Sequence, residues 1–480
     1  MVLRQLLSES FNYGLSALTS GILSMLLVPI YTRVFSPDEY GILGLITSTM
    51  VLLSILAVMS LDNSAHRWYW ETEDEPDRMR TLATWTWCQL VVASFLAGLI
   101  VLLSPWLASV LVKRHEAALY FRLAGMTLPL SVLNMVALNW FRMRRRTWGA
   151  LGFSVSTSLF NFILTIILVV FLDHGLAGVY WSQLATFALG TASATLLMGK
   201  WVAPRSFQWD RLKEMLRYSG SLIPAGLASW SINLSGRYFI QGFSSTAEVG
   251  VYQVGTTLAS GVALVTGAFQ LAWGPFAMSI HQQADAKKVY ADVLLIYLWV
   301  SCLISMTVWL FAPEVLSLMA TRSYLKGTAV VGILAFNYVV IGLGYIASIG
   351  PTIIKTTRPY GTALLVAGGL TVILNLLLVP RFGKEGAAIA TLLAQVTVPI
   401  YVFYHSQRIY PIPYRFGIAI AIFLFAFALS FLGSGLPITN FYWLILVKIL
   451  ILLTFLFLLF LLRILKMKDL RRLLTNPRAF

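Results

Sequence analysis

Three polar residues occupy one face of an otherwise apolar segment near the middle of the chain. In SWSINLSGRYFIQG, Asn233 lies one helical turn before Arg237, and Gln241 lies one turn after it, so a helix would place all three on the same face. An arginine in an apolar membrane segment is costly and marks a functional position unless it reaches an interface. Its planar guanidinium suits phosphate because it donates two hydrogen bonds and keeps its charge. We predict an anion contact at Arg237; the alternative is an anchor at the helix end.

A second group of basic residues lies near the ends of apolar segments. Arg33, near the end of the first segment, is the counterpart of Arg237, and Asn12 is a polar position further in. Five basic residues in or beside connections could collect an anionic group before it enters the membrane: Arg67, Arg142, Arg146, Lys355 and Arg358. The alternative is that they only anchor helix ends and set orientation.

Two charged residues are candidates for ion coupling. Asp62, at the end of the second segment, could carry a proton, or it could be a paired carboxylate at a helix end. Lys448 lies inside the last apolar segment, where an ammonium must find a partner, a cavity or an interface, or lose its proton. We predict that it contacts the preceding segment or a lipid phosphate.

The sequence contains no set of residues for catalysis or metal binding. Cys88 and Cys302 both lie inside apolar segments, and the histidines lie close to connections. A phosphate-binding glycine loop followed by Lys and Ser or Thr is absent from the sequence. We therefore expect no cofactor, and transport that runs downhill or is driven by H⁺ or Na⁺ rather than directly by ATP.

Fourteen apolar stretches, each about 18 to 25 residues long, must position these residues, and that is the length a helix needs to cross a bilayer. Of the 480 residues 58% are hydrophobic and 11% are charged, and the mean hydropathy is +0.80. The apolar runs do not alternate with a period of two, which excludes a membrane barrel. The composition predicts an all-α polytopic membrane protein whose segments start near residues 10, 39, 82, 120, 151, 176, 219, 248, 290, 327, 361, 385, 415 and 440.

Basic residues set the predicted orientation. Most of the 35 Lys and Arg residues fall on the side that carries both termini, so both termini should be cytoplasmic. The net charge of +16 therefore indicates orientation in a membrane rather than binding to nucleic acid. The acidic connection at residues 62–80 falls on the same side. It is interpreted as a solvated connector, with a metal-binding loop of a membrane glycosyltransferase as the alternative.

The chain also repeats itself. RVFSPDEYGILG is echoed by RYFIQGFSSTAEVGVYQVG, which places Glu39 and Gly41 opposite Glu248 and Gly250 at an offset of 209. Two more echoes have nearly the same offset: Gly175 and Gly178 with Gly383 and Gly386, and residues 144–149 with residues 356–361. Chance similarity of glycine-rich turns is the alternative to a duplication.

A duplication predicts two six-helix lobes. They would comprise residues 1–200 and 201–408, and residues 409–480 would add two helices and a basic cytoplasmic tail. Because six helices separate each pair of echoes, the lobes would share one orientation and be related by a pseudo-two-fold axis along the membrane normal. That is an architecture of alternating-access carriers.

Four stretches carry a resemblance to a known group. PIYTRVFSPDEYGILGL, SLDNSAHRWYWE, GRYFIQGFSSTAEVGVYQVG and NLLLVPRFGKEGAAIATLLAQ resemble bacterial polysaccharide flippases. These belong to the multidrug, oligosaccharidyl-lipid and polysaccharide exporter superfamily. The resemblance covers about the whole length. One departure is Gly236, where many relatives have an acidic residue before the arginine.

The resemblance implies a fold like that of multidrug and toxic compound extrusion (MATE) transporters and a flippase, not an enzyme. The implied substrate is an undecaprenyl-pyrophosphate-linked oligosaccharide, such as an O-antigen or exopolysaccharide repeating unit. It would cross from the inner to the outer leaflet of the bacterial inner membrane through a cationic central cavity. Membrane lipids, a polymerase and other glycan-assembly proteins are the implied partners. The alternatives are a MATE-type exporter of small molecules and a membrane glycosyltransferase or polymerase.

Overall fold

The computed structural model describes residues 2–436 and 440–461, with side chains described from residue 14 to residue 457 except at residues 16 and 17. The side chain of Asn12 and the basic tail at residues 463–472 lie outside this range. The described backbone is helical almost throughout.

Seven helices make up the first part of the chain. They are α1 (Val2–Val34), α2 (Pro37–Val58), α3 (Leu61–Trp70), α4 (Glu75–Leu107), α5 (Ala117–Met143), α6 (Thr147–Ile166) and α7 (Gly175–Met198). Helices α4 and α6 each continue into a π-helical turn, Ala108–Val112 and Ile167–Phe171.

Twelve further helices follow. They are α8 (Trp209–Gly220), α9 (Ile223–Leu234), α10 (Gly236–Phe243), α11 (Thr246–Ala259), α12 (Gly261–Ile280), α13 (Ala286–Leu310), α14 (Ala312–Met319), α15 (Thr328–Ala347), α16 (Ile349–Ile353), α17 (Arg358–Ile409), α18 (Phe416–Ser434) and α19 (Phe441–Leu461).

Each of the fourteen predicted segments corresponds to helix in the structure, and the all-α membrane prediction is confirmed. Among the described residues, nine stretches are long and apolar enough to cross a membrane. The 52-residue helix α17 covers two predicted segments, which are separated by a kink at Gly383 with φ 54°. Segments seven and eight, predicted as continuous, are each two helices, with breaks at Ser235 and Ser260. Both breaks fall at a Ser-Gly pair, Ser235-Gly236 and Ser260-Gly261, where glycine lowers the helix propensity.

The first repeat is visible where the starts of α2 and α11 cross. A Cβ added at Gly41 would overlap the backbone of Thr246, and one added at Gly250 would overlap the backbone of Pro37. Thr246 and Gly250 stand 209 residues after Pro37 and Gly41. Each repeat thus contacts the other through the same two equivalent positions, as is the case for contacts across a two-fold axis.

The second echo shares a backbone conformation. Gly175 and Gly383 have φ values of 53° and 54°, Gly175 at the start of α7 and Gly383 at the kink inside α17. The third echo pairs Arg145 with Thr357, and their backbones differ, with φ values of 54° and −109°. The structure thus shows the predicted parallel repeat at two of the three echoes.

By packing, the chain forms two compact units. Unit 1 comprises Met1–Val254, Met319–Tyr324 and Gly368–Ala387, and unit 2 comprises the three remaining stretches: Gly255–Leu318, Leu325–Ala367 and Ala388–Phe480. This division differs from the lobes at residues 1–200 and 201–408, whose boundaries stay a prediction.

We predict that Gly41→Ala and Gly250→Ala each lower the melting temperature of the purified protein. An added methyl group must push two backbones apart, and such overpacking costs about 1–3 kcal/mol. Gly98→Ala is the matched control, because Gly98 lies in α4 and a Cβ there would have no neighbour within 4 Å. The control should melt at the same or a higher temperature, since alanine favours a helix. Equal melting temperatures for all three variants would contradict the close crossing.

Candidate functional site

Arg237 is buried in protein rather than turned toward lipid. Arg237 is 3% exposed. Its Nε donates a hydrogen bond to Gln253 Oε1 at 2.7 Å, and its Nη1 donates one to the Asn233 carbonyl at 3.2 Å. The guanidinium also lies 5.7 Å from the centre of the Tyr252 ring. The Gln253 amide of α11 and a backbone carbonyl of α9 thus help to hold this cation in place.

The break between α9 and α10 brings Arg237 close to neighbouring helices. At the break, the Ser235 hydroxyl donates to the Ser231 carbonyl at 2.5 Å, and the Ser231 hydroxyl donates to the Gly368 carbonyl at 3.0 Å. A Cβ added at Gly236 would stand 3.3 Å from Ala387 Cβ, tighter than most such contacts. Glycine at this position therefore suits the close packing of α10.

The three residues of the predicted shared face, Asn233, Arg237 and Gln241, differ in burial and in partners. Asn233 is exposed, and its Nδ2 donates to the Ser229 carbonyl of its own helix at 2.8 Å. Gln241 is buried, and its Nε2 donates to the Val112 carbonyl at 3.2 Å, while its Oε1 has no partner in the described part of the chain. Their roles in substrate binding stay a prediction.

Two faces of helix α2 have different neighbours. On one face, Thr49 shares a hydrogen bond of 2.8 Å with the hydroxyl of Tyr238, and the Ser48 carbonyl accepts one of 2.9 Å from Trp230 Nε1. The residues Thr47, Met50, Val51 and Ser54, spaced along one helix face, line a cavity instead. Helix α2 therefore stands between Arg237 and this cavity.

The cavity has a volume of about 390 Å³ and is lined by α1, α2, α5, α6 and α7 of unit 1. Its polar lining consists of hydroxyl and amide groups, and all five helices contribute. Examples are Ser20, Thr47, Ser54, Ser131, Asn161 and Gln183. Within the described residues its lining includes none of the predicted site residues and no charged side chain. The predicted cationic central cavity is a separate feature and stays a prediction.

The end of unit 1 around Gly41 and Gly250, here called the crossing end, is tightly packed. Asp38 at the start of α2 forms an ion pair with Arg114. The Tyr324 hydroxyl donates to the Phe35 carbonyl at 3.0 Å. These contacts join four separate parts of the sequence at one place.

The two halves of the crossing end differ in how their equivalent glutamates are used. The hydroxyl groups of Ser36 and Ser245 each accept a hydrogen bond of 3.3 Å from an N–H three residues later. Glu39 returns a bond to Ser36 by accepting from its N–H at 2.9 Å. Glu248 instead accepts from Lys384 Nζ at 2.7 Å. The equivalent glutamates thus have different partners: Glu39 caps its own helix, and Glu248 forms an ion pair with Lys384.

The remaining predicted headgroup residues lie apart from the cavity. Arg33 is exposed in the last turn of α1, where its neighbour Thr32 is buried and donates to the Met319 carbonyl at 2.7 Å. The side chain of Asn12 is outside the described residues. The proposed pairing of Arg33 with Arg237 across a cleft stays a prediction.

All five predicted entrance residues are exposed: Arg67, Arg142, Arg146, Lys355 and Arg358. Arg67 pairs with Glu71 at 3.1 Å and lies 5.0 Å from the ring centre of Tyr218. Arg146 lies 5.8 Å from the ring of Trp140. The first three belong to unit 1 and the last two to unit 2.

Sequence reasoning missed a layer of stacked arginines and aromatic rings next to these residues. Arg144 lies 4.7 Å from the ring of Trp201, and Arg145 lies 5.3 Å from that of Trp70. Arg78 lies 4.8 Å from the ring of Tyr69. The connections contain both Arg and Trp residues, and guanidinium groups stack readily on aromatic rings. That composition could have predicted these contacts.

The two candidates for coupling differ in their surroundings. Lys448 is 2% exposed, and its Nζ donates to Glu314 Oε1 at 2.5 Å, so its partner is α14 and not the preceding helix or lipid phosphate as predicted. Asp62 lies half-buried in the first turn of α3 and has no ion pair within the range that the structure covers. A coupling role for either residue stays a prediction.

Solved structures of other proteins have the same fold. The structure of the lipid II flippase MurJ in an inward closed conformation matches with a TM-score of 0.70 at 14% identity, over 94% of this chain and 99% of that one. An inward-facing MATE family multidrug transporter of the same exporter superfamily matches with a TM-score of 0.65 at 16% identity, over 84% and 96%. The fold is that of exporters and flippases of this superfamily.

Sequence comparison gives the family. Residues 6–281 match the polysaccharide biosynthesis protein family, and the chain belongs to it. The succinoglycan biosynthesis transport protein ExoT of Rhizobium meliloti (strain 1021) is 24% identical over 260 residues, 53% of this chain and 48% of that protein. The aligned part thus spans about half the length of this curated relative. The predicted family is confirmed, and the prediction of a transporter rather than an enzyme agrees with these relatives.

We predict that the ion pair between Glu314 and Lys448 stabilises unit 2 only as a pair. Glu314→Ala should destabilise the protein by about 3–5 kcal/mol because it leaves a buried ammonium without its carboxylate. The double variant with Lys448→Met should recover most of that loss. A double-mutant cycle on unfolding in detergent measures the coupling.

The exposed pair of Asp210 and Lys213 on α8 is the control. Its removal should leave stability unchanged, since exposed pairs contribute little. Additive effects of the two substitutions at Glu314 and Lys448 would contradict the predicted coupling.

Proposed function

We propose that the protein is a flippase for a polyprenyl-pyrophosphate-linked oligosaccharide, such as an O-antigen or exopolysaccharide repeating unit. It moves this substrate from the inner to the outer leaflet of the bacterial inner membrane, with both of its own termini in the cytoplasm. The family and the flippase fold support the proposal. The observation that carries it is the reciprocal crossing at Gly41 and Gly250, because an alternating-access carrier needs two like halves that meet at one end.

In this orientation the crossing end faces outward. Helix α1 begins at the cytoplasmic side and ends at Val34, just before the crossing. The described state is then closed toward the outside, and release of the substrate requires that α2 and α11 separate.

Arg237 is placed to respond to this separation. Its partner Gln253 also belongs to α11 and lies beside the crossing, since a Cβ at Gly44 of α2 would be 3.3 Å from Gln253 Oε1. When α2 and α11 part, Gln253 moves and the guanidinium loses a neutral partner. A pyrophosphate replaces it favourably because charge-assisted hydrogen bonds are stronger than those to an amide. Arg237 thus binds the headgroup as the outer end opens.

The exposed basic residues act at the other end of the cycle. Arg67, Arg142 and Arg146 of unit 1 and Lys355 and Arg358 of unit 2 attract the anionic headgroup from the cytoplasmic leaflet. Movement is downhill or coupled to H⁺ or Na⁺, and the buried pairing of Lys448 with Glu314 favours a structural role for that lysine. A polymerase and other glycan-assembly proteins take up the product.

Export of small molecules is the second candidate, because MATE transporters share the fold. The uncharged cavity of about 390 Å³ could hold a small molecule as well as part of a glycan. The two candidates differ in what reconstituted vesicles transport.

We predict that proteoliposomes containing the full chain expose a fluorescent polyprenyl-pyrophosphate disaccharide to an external quencher faster than protein-free vesicles do. The label is placed in one leaflet, and the quenched fraction is followed over time. Flux equal to that of protein-free vesicles, together with uptake of cationic dyes, would favour the exporter instead.

Substitution of Arg237 should slow this flux about tenfold or more in Arg237→Ala and less in Arg237→Lys, because lysine keeps the charge but loses the two-pronged hydrogen bonding. Arg205→Ala, at an exposed position before α8, is the matched control and should transport like the wild type. Wild-type flux in a folded Arg237→Ala variant would remove Arg237 from the mechanism.

A further inference from the structure

The cavity in unit 1 is polar but carries no formal charge. Hydroxyl and amide groups inside a membrane protein are costly unless they face a partner or a wet cavity. Among the described residues that line the cavity there is no Asp, Glu, Lys, Arg or His. The cavity therefore offers hydrogen bonds without attracting ions.

Part of the polar lining holds helices together. The hydroxyl groups of Ser20 and Ser158 lie 2.8 Å apart, and Asn161 Nδ2 donates to the Thr186 hydroxyl at 3.4 Å. Hydrogen bonds of this kind join helices in membrane proteins and need no ligand.

Four other lining residues are not used in this way. Thr47, Ser54 and Gln183 make no side-chain hydrogen bond within the residues that the structure describes. The hydroxyl of Tyr180, a residue that is 2% exposed, is buried without a partner in the same part of the chain. Together they present an amide and three hydroxyl groups that can both donate and accept hydrogen bonds.

These groups match the hydroxyl groups of an uncharged sugar, which also donate and accept. A carboxylate or sulfate would lose its hydration in the cavity without gaining a cation, which is unfavourable. The volume of about 390 Å³ is at the lower end of the roughly 300–1,000 Å³ of small-molecule pockets. It suits part of a glycan rather than a whole repeating unit.

We propose that this cavity is a subsite for an uncharged sugar residue of the transported glycan, and that Gln183 determines its specificity. The proposal rests on the proposed function, because it takes the lipid-linked glycan as the substrate. The pyrophosphate stays outside the cavity, where basic side chains are available.

The test measures dissociation constants of the full chain in lipid nanodiscs for three probes. Each probe is the same polyprenyl pyrophosphate, carrying no sugar, glucose or glucuronic acid. Gln183→Leu removes the amide and keeps the bulk, and Tyr180→Phe removes only the hydroxyl. Ser193→Ala is the matched control, since Ser193 lies on the same helix, is exposed, and donates only to its own helix.

Wild type and Ser193→Ala should bind the glucose probe about tenfold more tightly than the sugar-free probe, the scale of one or two well-placed hydrogen bonds. The glucuronic acid probe should gain no such advantage. Gln183→Leu and Tyr180→Phe should each reduce the advantage of glucose and leave the affinity for the sugar-free probe unchanged. Two variants keep the test usable if one of them does not fold.

Three results would overturn the subsite. They are equal wild-type affinity for the glucose and sugar-free probes, an unchanged glucose advantage in both variants, and preference for the glucuronic acid probe. The flippase proposal would survive each of them, because the pyrophosphate lipid would still bind. Failure of the folded protein to bind any of the three probes would overturn the flippase proposal and this inference with it.

Discussion

The close approach of two backbones at Gly41 and Gly250 is the constraint on which the rest of the described structure depends. Either residue, if it carried a Cβ, would meet the backbone of the opposite half, and only glycine permits such proximity. Because the two positions are equivalent in the repeat, the same need for glycine at a close backbone contact occurs once in each half. The starts of α2 and α11 are thereby fixed, and Arg237, Gln253 and the surrounding ion pairs take their places relative to them.

Among the described residues, three cations are buried: Lys384, Lys448 and Arg237. Lys384 and Lys448 are each paired with a carboxylate, at 2.7 Å and 2.5 Å, which offsets the cost of a charge in the interior. Arg237 donates to a side-chain amide and to a backbone carbonyl. The carboxylate partners favour a structural role for the two lysines. The proposed role of Arg237 in substrate recognition rests instead on its planar guanidinium, which suits a phosphate group.

The sequence allowed the helices, their approximate starts and the repeat to be predicted, because apolar length and the spacing of Glu and Gly carry that information directly. The echo of Glu39 and Gly41 at Glu248 and Gly250 indicated the duplication, and the structure adds that these residues lie at the crossing. The breaks at Ser235 and Ser260 fall at Ser-Gly pairs, a local turn signal that the long apolar runs around them outweighed. The partner of Lys448 could not be predicted from the sequence either. Glu314 lies 134 residues away in a short helix, and no local pattern encodes how that helix packs.

If the protein works as proposed, the crossing end opens during transport. Pulsed electron paramagnetic resonance measures this opening as the distance between spin labels attached at His115→Cys and Ser244→Cys, in a chain that also carries Cys88→Ala and Cys302→Ala. We expect one short distance in the ligand-free protein and a second, longer distance when the lipid-linked oligosaccharide is added. A single unchanged distance in protein that demonstrably transports the lipid would contradict this opening.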